Sequence, residues 1–473
     1  MAHYSGPDLC RLSACEAVQM LKTKQVSPAE LLQASVQRIA EVEPGVNAMP
    51  TTCADRATAQ IAGLTDQPDD PGWLAGLPIA IKDLTPVRGV RTTWGTKALA
   101  DFVPEDSDPL VEKLEARGGL IMGKTNTPEM GAGGNTFNDV FGYTRNPWDR
   151  RKNAGGSSGG SAVALATGEV WLAQGSDLAG SLRTPAAYCG VVGFRPTPGR
   201  AGGGPALIAF EGEGISGPMA RNVKDCALFL DAMSGYDPLV PMSLEAPAVS
   251  FQAAVQADPG QIRVAYAPTQ GGFAEVEPKI DAIMRKALEL AQGNGVTLVE
   301  ACPDLTGLEE TYTTLRGILY GALHARMPKD VQIHFKETLK GNIDVGLALS
   351  ADNIFDAMRQ RVVLYHNMRR FLNDHDVLAS AVVGLEPGMV EEEYPATVNG
   401  VPTGDYVEWL KLSYLATTTC LPAISIPCGF TKSGMPVGIQ LIGGPRGEAR
   451  VLQVAQRLED IWGFAKGVPI DPK

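Results

Sequence analysis

Glycine is used out of proportion in this chain, 53 times in 473 residues, and the excess is concentrated between residues 118 and 204. The spacing there is neither periodic nor low in complexity. It points to backbone that turns tightly or approaches a neighbour closely, not to a fibrous or disordered stretch. The centre of the stretch is Gly155-Gly156-Ser157-Ser158-Gly159-Gly160-Ser161, followed by small residues to Ala166 and then by Gly168. A linker is seldom followed at once by a tightly packing small-residue helix, and the G-x-x-x-x-G-K-[ST] pattern of a phosphate loop is absent. The fold must thread this backbone through a crowded interior.

Around it, short apolar runs alternate with helical ones. Pro78 to Ile81, Leu110 to Ala116 and Leu120 to Met122 read as strand, helix and strand, and Val170 to Ala173 reads as a buried strand entering a turn at Ser181. Lys279 to Ala291, stopped by Gly293, is an amphipathic helix and Val296 to Val299 a strand. Ala423 to Pro427 and Val437 to Leu441 flank a turn at Lys432-Ser433-Gly434, and a closing helix runs from Glu448 to Ile461. This alternation predicts an α/β fold, a mixed β-sheet core surrounded by helices.

Two capping boxes, Ser13 with Glu16 and Ser27 with Glu30, open the chain, the second with Pro28 at the first helical position. They predict a helical arm that packs against the core or against another copy of the chain, which allows a homodimer; its second helix is expected to stop before Pro44. Gly235 to Pro278 reads as a long surface connection with one strand, Ile262 to Tyr266. Residues 304–375 read as mainly helical, with Tyr312, Leu315, Leu319, Tyr320 and Leu323 forming a stripe expected to be core. No linker forces a split. The expectation is one domain, with an arm over 1–70, a catalytic segment over 71–235 and the rest of the core and the pocket helices over 236–473.

Hydrophobic residues make up 44% and charged residues 20%, so a packed core is expected, while a net charge of −12 without any Lys/Arg block makes nucleic acid and anionic membranes unsuitable partners. Eight scattered cysteines, with no C-x-x-C pair, read as buried free thiols in a reducing compartment, and no apolar run is long enough to span a bilayer. A cytoplasmic protein is the expectation. No H-E-x-x-H motif is present, and no metal is expected.

The candidate chemistry lies in Ser157, Ser181 and Lys82, the last closing the run Leu77-Pro78-Ile79-Ala80-Ile81-Lys82-Asp83. A serine needs a base within hydrogen-bond reach to become a nucleophile. The five histidines, His3, His324, His334, His366 and His375, all fall outside residues 76–200, and no G-x-S-x-G is present, so lysine is favoured over a Ser-His-Asp arrangement. Lysine can serve only if burial lowers its pKa from about 10.4 by several units. A salt bridge to adjacent Asp83 is disfavoured, because neighbours on a strand point to opposite faces. In Ser176-Asp177-Leu178-Ala179-Gly180-Ser181, successive N–H groups can converge on an oxyanion. Cys189, in an apolar context, reads as a structural thiol.

These segments, with Gly123-Lys124-Thr125-Asn126-Thr127-Pro128-Glu129, Thr144-Arg145-Asn146-Pro147-Trp148 and Gly190-Val191-Val192-Gly193-Phe194-Arg195-Pro196-Thr197, resemble the amidase signature family over nearly the whole chain. The resemblance implies Ser181 as nucleophile, Ser157 as bridging serine after a cis Gly156-Ser157 peptide, Lys82 as base, no cofactor, and an oxyanion hole of the N–H groups of Leu178, Ala179, Gly180 and Ser181. Where many relatives carry Gly-Gly, this chain has Ala179-Gly180, and Ala179 is expected to keep ordinary backbone angles. Gly131, Ala132 and Gly133 match a substrate-lining loop. The wording around Thr92-Thr93-Trp94-Gly95 is most similar to stand-alone aryl acylamidases and carbamate-cleaving, urethanase-like amidases, which implies a small-molecule amide or carbamate substrate. The alternatives are a catalytically idle binding protein and a glutamine-hydrolysing amidotransferase subunit. Ala379 to Gly384, in place of a Pro-Thr-x-Pro motif, argues against the second.

Overall fold

The computed structural model describes residues 3–203 and 208–473; Gly204, at the end of the glycine-rich stretch, lies outside them, as do Met1 and Ala2. The arm begins with α1 (Ala14–Lys22) and α2 (Pro28–Val46), both opened by the expected capping boxes. Helix α2 does not stop before Pro44. The missing proline N–H removes only one bond near the last turn, buried Val42 and Val46 hold that turn against the core, and Asn47 ends the helix at φ 53°. The arm packs on its own chain: Asp225 accepts the Ala14 and Cys15 N–H groups at 2.8 and 2.9 Å, and Arg38 reaches the Thr167 carbonyl at 2.7 Å.

Eleven strands build one mixed sheet: β1 (Thr51–Thr52), β2 (Pro78–Lys82), β3 (Leu120–Thr125), β4 (Leu172–Asp177), β5 (Val192–Arg195), β6 (Ile215–Ala220), β7 (Ile262–Tyr266), β8 (Val296–Glu300), β9 (Val377–Ala381), β10 (Ala423–Phe430) and β11 (Pro436–Ile442). Their order is β1-β3-β2-β4-β6-β5-β10-β11-β9-β7-β8. Strand β2 lies parallel to both β3 and β4, so the carboxyl ends of the three emerge on one side. Strand β4 starts later than its apolar run suggests and continues through Gln174-Gly175-Ser176-Asp177, because those polar groups are satisfied inside the sheet; the Gln174 carboxamide, for one, accepts the Lys82 N–H at 3.0 Å.

Two helices matter for the site. Helix α3 (Gly159–Thr167), ended by Gly168 at φ 84°, is buried along its whole length, and α4 (Arg183–Cys189) follows the Ser181 turn. Glycine is required in α3 because a side chain at Gly160 would run into the Asn126 backbone and the Ala48 carbonyl. Residues 235–278 are not wholly a surface connection. They contain α5 (Phe251–Gln256), capped by Ser250 and anchored by buried Phe251, Ala254 and Val255, and β7 lies inside the sheet between β9 and β8. Helix α6 (Leu308–His324) begins the helical excursion over residues 308–371. The eight cysteines are free, but the expectation that all are buried holds only for Cys10, Cys189, Cys226 and Cys428; Cys15, Cys53, Cys302 and Cys420 lie nearer the surface and are only partly buried.

Candidate active site

Lys82 is the last residue of β2 and pairs in register with Thr125, the last of β3, while Asp177 ends β4. The carboxyl ends of parallel strands thus deliver a lysine and a carboxylate to one place, where open α/β sheets commonly build their sites. Alternation along β2 turns Asp83 away from its neighbour: its carboxylate meets Lys124 Nζ at 3.2 Å and the Thr93 hydroxyl at 2.6 Å. Lys82 is left facing the α3 loop.

The Lys82 ammonium group is wholly buried and lies 2.7 Å from Ser157 Oγ, 2.8 Å from Ser158 Oγ and 3.0 Å from Ser176 Oγ. Burial lowers its pKa to about 7, against the opposing pull of the Asp177 carboxylate. The Gly156-Ser157 peptide is cis, as the resemblance implies.

The turn carrying Ser181 is held by Asp177. One of its carboxylate oxygens accepts the Gly180 N–H at 3.1 Å and Arg183 Nη2 at 2.9 Å, and the other accepts the Leu182 N–H at 3.2 Å and Arg183 Nε at 3.0 Å. Burial opposes the charge, but the guanidinium groups of Arg183 and Arg195 outweigh it and hold this carboxyl well below the usual carboxylate range. Gly180 takes φ 83°, whereas Ala179 stays out of the left-handed region, as expected for alanine. The two loops are stitched together by the Ser158 N–H, which donates to the Ser181 carbonyl at 3.2 Å. Of the four N–H groups implied as oxyanion donors, that of Gly180 is committed to Asp177. Those of Leu178, Ala179 and Ser181 find no acceptor among the described residues.

Ser157, Ser176 and Ser181 form the floor of a cavity of about 670 Å³, within the size range of small-molecule sites. Its walls are mostly apolar: Trp94, Phe102, Met130, Leu319 and Leu323 among them, with Tyr320 beside them. The stripe on α6 therefore divides. Tyr312 and Leu315 are buried away from the cavity, whereas Leu319 and Tyr320, buried in the same core as Tyr312, and partly buried Leu323 also line the cavity, because the helix runs past the site.

The structure brings Lys82, Ser157 and Ser181 together. Of the predicted substrate-lining loop only Gly131 reaches the cavity, where a side chain would crowd Leu84 and approach Ser157 Oγ to 3.7 Å; Ala132 is buried and Gly133 packs behind Gly156. Three site residues escaped the sequence reading. Ser158 and Ser176 were visible within the two serine motifs, and only the three-dimensional position of Lys82 shows that they belong to it. His324, distant in sequence, lines the cavity from the end of α6. Among the described residues no group of three or more His, Cys, Asp or Glu is placed to hold a metal, and no helix is long and apolar enough to cross a membrane.

Comparison with known proteins agrees with this geometry. A family model described as Amidase matches residues 30–452. The acylamidase of Rhodococcus erythropolis is 35% identical over 482 residues, covering 97% of this chain and 97% of that protein. One component of the glutamyl-tRNA(Gln) amidotransferase of Thermosynechococcus vestitus is 34% identical over 480 residues, covering 94% and 96%. The crystal structure of a bacterial aryl acylamidase assigned to the amidase signature enzymes matches with a TM-score of 0.87 at 26% identity, covering 97% of this chain and 99% of that one. A lysine at the carboxyl end of β2, gathered with the serine loops that precede α3 and follow β4, in a chain matched almost end to end by such proteins, leads to one conclusion: it belongs to the amidase signature family of amide-cleaving hydrolases.

Proposed function

We propose that this enzyme cleaves the C–N bond of neutral hydrophobic or aryl amides through a Ser181 acyl-enzyme, with carbamates and esters as further substrates. The observation that carries the reading is the contact of buried Lys82 Nζ with Ser157 Oγ at 2.7 Å beside Ser181 on the floor of a mostly apolar cavity. A neutral amine has two N–H donors and one lone pair. Ser158 Oγ donates its own proton to the Ser176 carbonyl at 3.2 Å, so it receives from Nζ. With Ser176 Oγ taking the second N–H, the lone pair is left for the Ser157 proton. Lys82 then draws a proton through Ser157 from Ser181, which attacks the amide carbonyl, and the N–H groups of Leu178, Ala179 and Ser181 receive the oxyanion. The relay returns the proton to the leaving amine, and water releases the acyl group by the same route.

Apolar walls favour an aryl or alkyl amide over glutamine, and the carboxylates of Asp106, Asp108 and Glu211 among the lining residues disfavour anionic substrates. We read the chain as one catalytic domain, and its free cysteines fit a reducing compartment such as the cytoplasm. The test is release of 4-nitroaniline from 4-nitroacetanilide by the native protein and by Ser181→Ala. Turnover that falls at least about 10³-fold in the variant supports the reading. Hydrolysis of glutamine in place of anilides would move the chain to the amidotransferase reading, and turnover unchanged in Ser181→Ala would remove the nucleophile assignment.

A further inference from the structure

The cavity holds a polar side chain that the proposed reaction does not use. His324 closes α6, lines the cavity wall and is 7% exposed, its ring 5.4 Å from that of Tyr320 and 6.1 Å from that of Phe335. Its Nδ1 is sealed from solvent and has no hydrogen-bond partner among the described residues. Its Nε2 makes no hydrogen bond with any described residue and is not sealed as Nδ1 is; since the ring lines the cavity, we take its open side to face the cavity. Other polar groups on the lining are engaged: Thr85 and Ser216 with Gln174, Ser107 with the Arg88 N–H, and Glu211 with the Gly214 N–H.

The proton on this ring can be placed by cost. Burial, with the positive charge of Arg316 two turns earlier on α6, lowers the His324 pKa to about 4, so the ring is neutral near pH 7 and carries one N–H. A sealed N–H without an acceptor is more costly than a sealed bare lone pair, and orphaned donors are the rarer of the two in folded proteins. The proton therefore sits on Nε2, and the bare lone pair on Nδ1. An apolar cavity with one outward N–H holds its ligand by shape and fixes its orientation by a single acceptor.

We infer that His324 is a specificity-determining residue that donates its Nε2–H to an uncharged acceptor oxygen, an ether, carbonyl or carbamate oxygen, lying in the substrate away from the scissile bond. This rests on the amide-cleaving reading above. It selects oxygenated amides or carbamates over all-carbon ones of the same shape.

The experiment uses two ladders of matched substrates, one varying the acyl chain of a 4-nitroanilide and one varying the amine side of a benzamide. In each, a single ether oxygen replaces successive CH₂ groups. At least one oxygen position is expected to exceed its carbon isostere about threefold to tenfold in kcat/KM. The ratio should fall to about one in His324→Phe and be partly kept in His324→Gln, which retains a donor. A ratio is insensitive to the fraction of each variant that folds. No oxygen preference in either ladder, or a preference unchanged in His324→Phe, overturns the proposal. The same ligand pairs are titrated calorimetrically into Ser181→Ala and into the double variant with His324→Phe. If no amide is turned over, the amidase reading fails alone provided the oxygen preference in affinity persists and depends on His324; equal affinities, or no binding of either ligand, overturn the His324 proposal itself.

Discussion

Replacing Lys82 with methionine is expected to abolish turnover and to make the folded chain more stable, because the burial that strips the lysine of its proton is a cost to folding. Lys82 is fully buried and its pKa is lowered from 10.5 to about 7. At about 1.4 kcal/mol per pKa unit this is about 5 kcal/mol against the charged form. Because the folded value lies below the unfolded one, the unfolded chain binds more protons between about pH 7 and 10.5. The cost is therefore fully present below about pH 7 and is relieved as pH rises toward 10.5. Methionine removes it but leaves the hydroxyls of Ser157 and Ser176 without their Nζ partner, each worth about 1 kcal/mol, while Ser158 keeps its bonds to the Ser176 backbone. A net gain of about 2–4 kcal/mol at pH 6, falling as pH rises and turning into a loss of about 1 kcal/mol near pH 10, follows, and denaturant unfolding of both proteins across that range measures it. In the native enzyme the same titration sets the acid limb of kcat/KM, which should fall about tenfold per pH unit below pH 6 and reach half its plateau near pH 7. A variant less stable than native at pH 6, or a flat rate profile from pH 5 to 8, would refute the reasoning.

Four further outcomes can be checked. Asp177→Asn leaves the buried Arg183 and Arg195 without their anion and should cost about 3–5 kcal/mol in denaturant unfolding; since Asp177 raises the Lys82 pKa, the acid limb of any residual activity should move to lower pH. Asp83→Asn strands Lys124, whose pKa burial already lowers to about 8, with a loss of about 3–5 kcal/mol that Lys124→Met in the same chain should partly recover by the same measurement. Gly180→Ala forces alanine to φ 83°, with its Cβ 3.0 Å from Thr184 Oγ1 and 3.1 Å from Ser413 Cβ, and should sharply lower kcat on 4-nitroacetanilide, whereas Ala179→Gly should be nearly silent. Glu459, pushed up to about 8 by burial, gives stability that is fully present below about pH 4.5 and lost as pH rises through 8, so Glu459→Gln should gain on the native protein by up to about 5 kcal/mol between pH 5 and 9 in chemical denaturation.

Much of this architecture was legible because local chemistry and tertiary packing agree. Both capping boxes form, Gly168 ends α3, and the apolar runs at Pro78 and Leu120 are neighbouring parallel strands. The misreadings share a cause, namely that tertiary contacts overrode a local signal. Proline at position 44 is tolerated because Val46 is buried, and the polar end of β4 is a strand because Gln174 has partners inside the sheet. Residues 251–256 form a helix because Phe251 has a core to enter. Of the site, Lys82, Ser157 and Ser181 could be read from spacing and motif, since each sits on a segment whose glycines or apolar run are unusual. His324 could not. Nothing around it in the sequence sets it apart from a core histidine, and it becomes informative only once its ring is seen against the cavity with a nitrogen unpaired.

Tertiary contacts also explain why the Ala179-Gly180 pair does not disturb the turn. Asp177 accepts the N–H groups of Gly180 and Leu182 and the guanidinium of Arg183, so a side chain, and not a second glycine, fixes the curvature between β4 and α4. Only one residue then has to enter the left-handed region, and it is the glycine. Arg183 carries the arrangement on to Gln440 of β11 at 2.8 Å, whose carboxamide also reaches the Leu412 carbonyl and Ser380, tying the Ser181 loop to strands from the far half of the chain. The turn that presents Ser181 is thus specified by residues spread from 177 to 440. Its shape depends on the whole sheet being assembled, and the chemistry proposed for it depends on one lysine that the assembled sheet has buried.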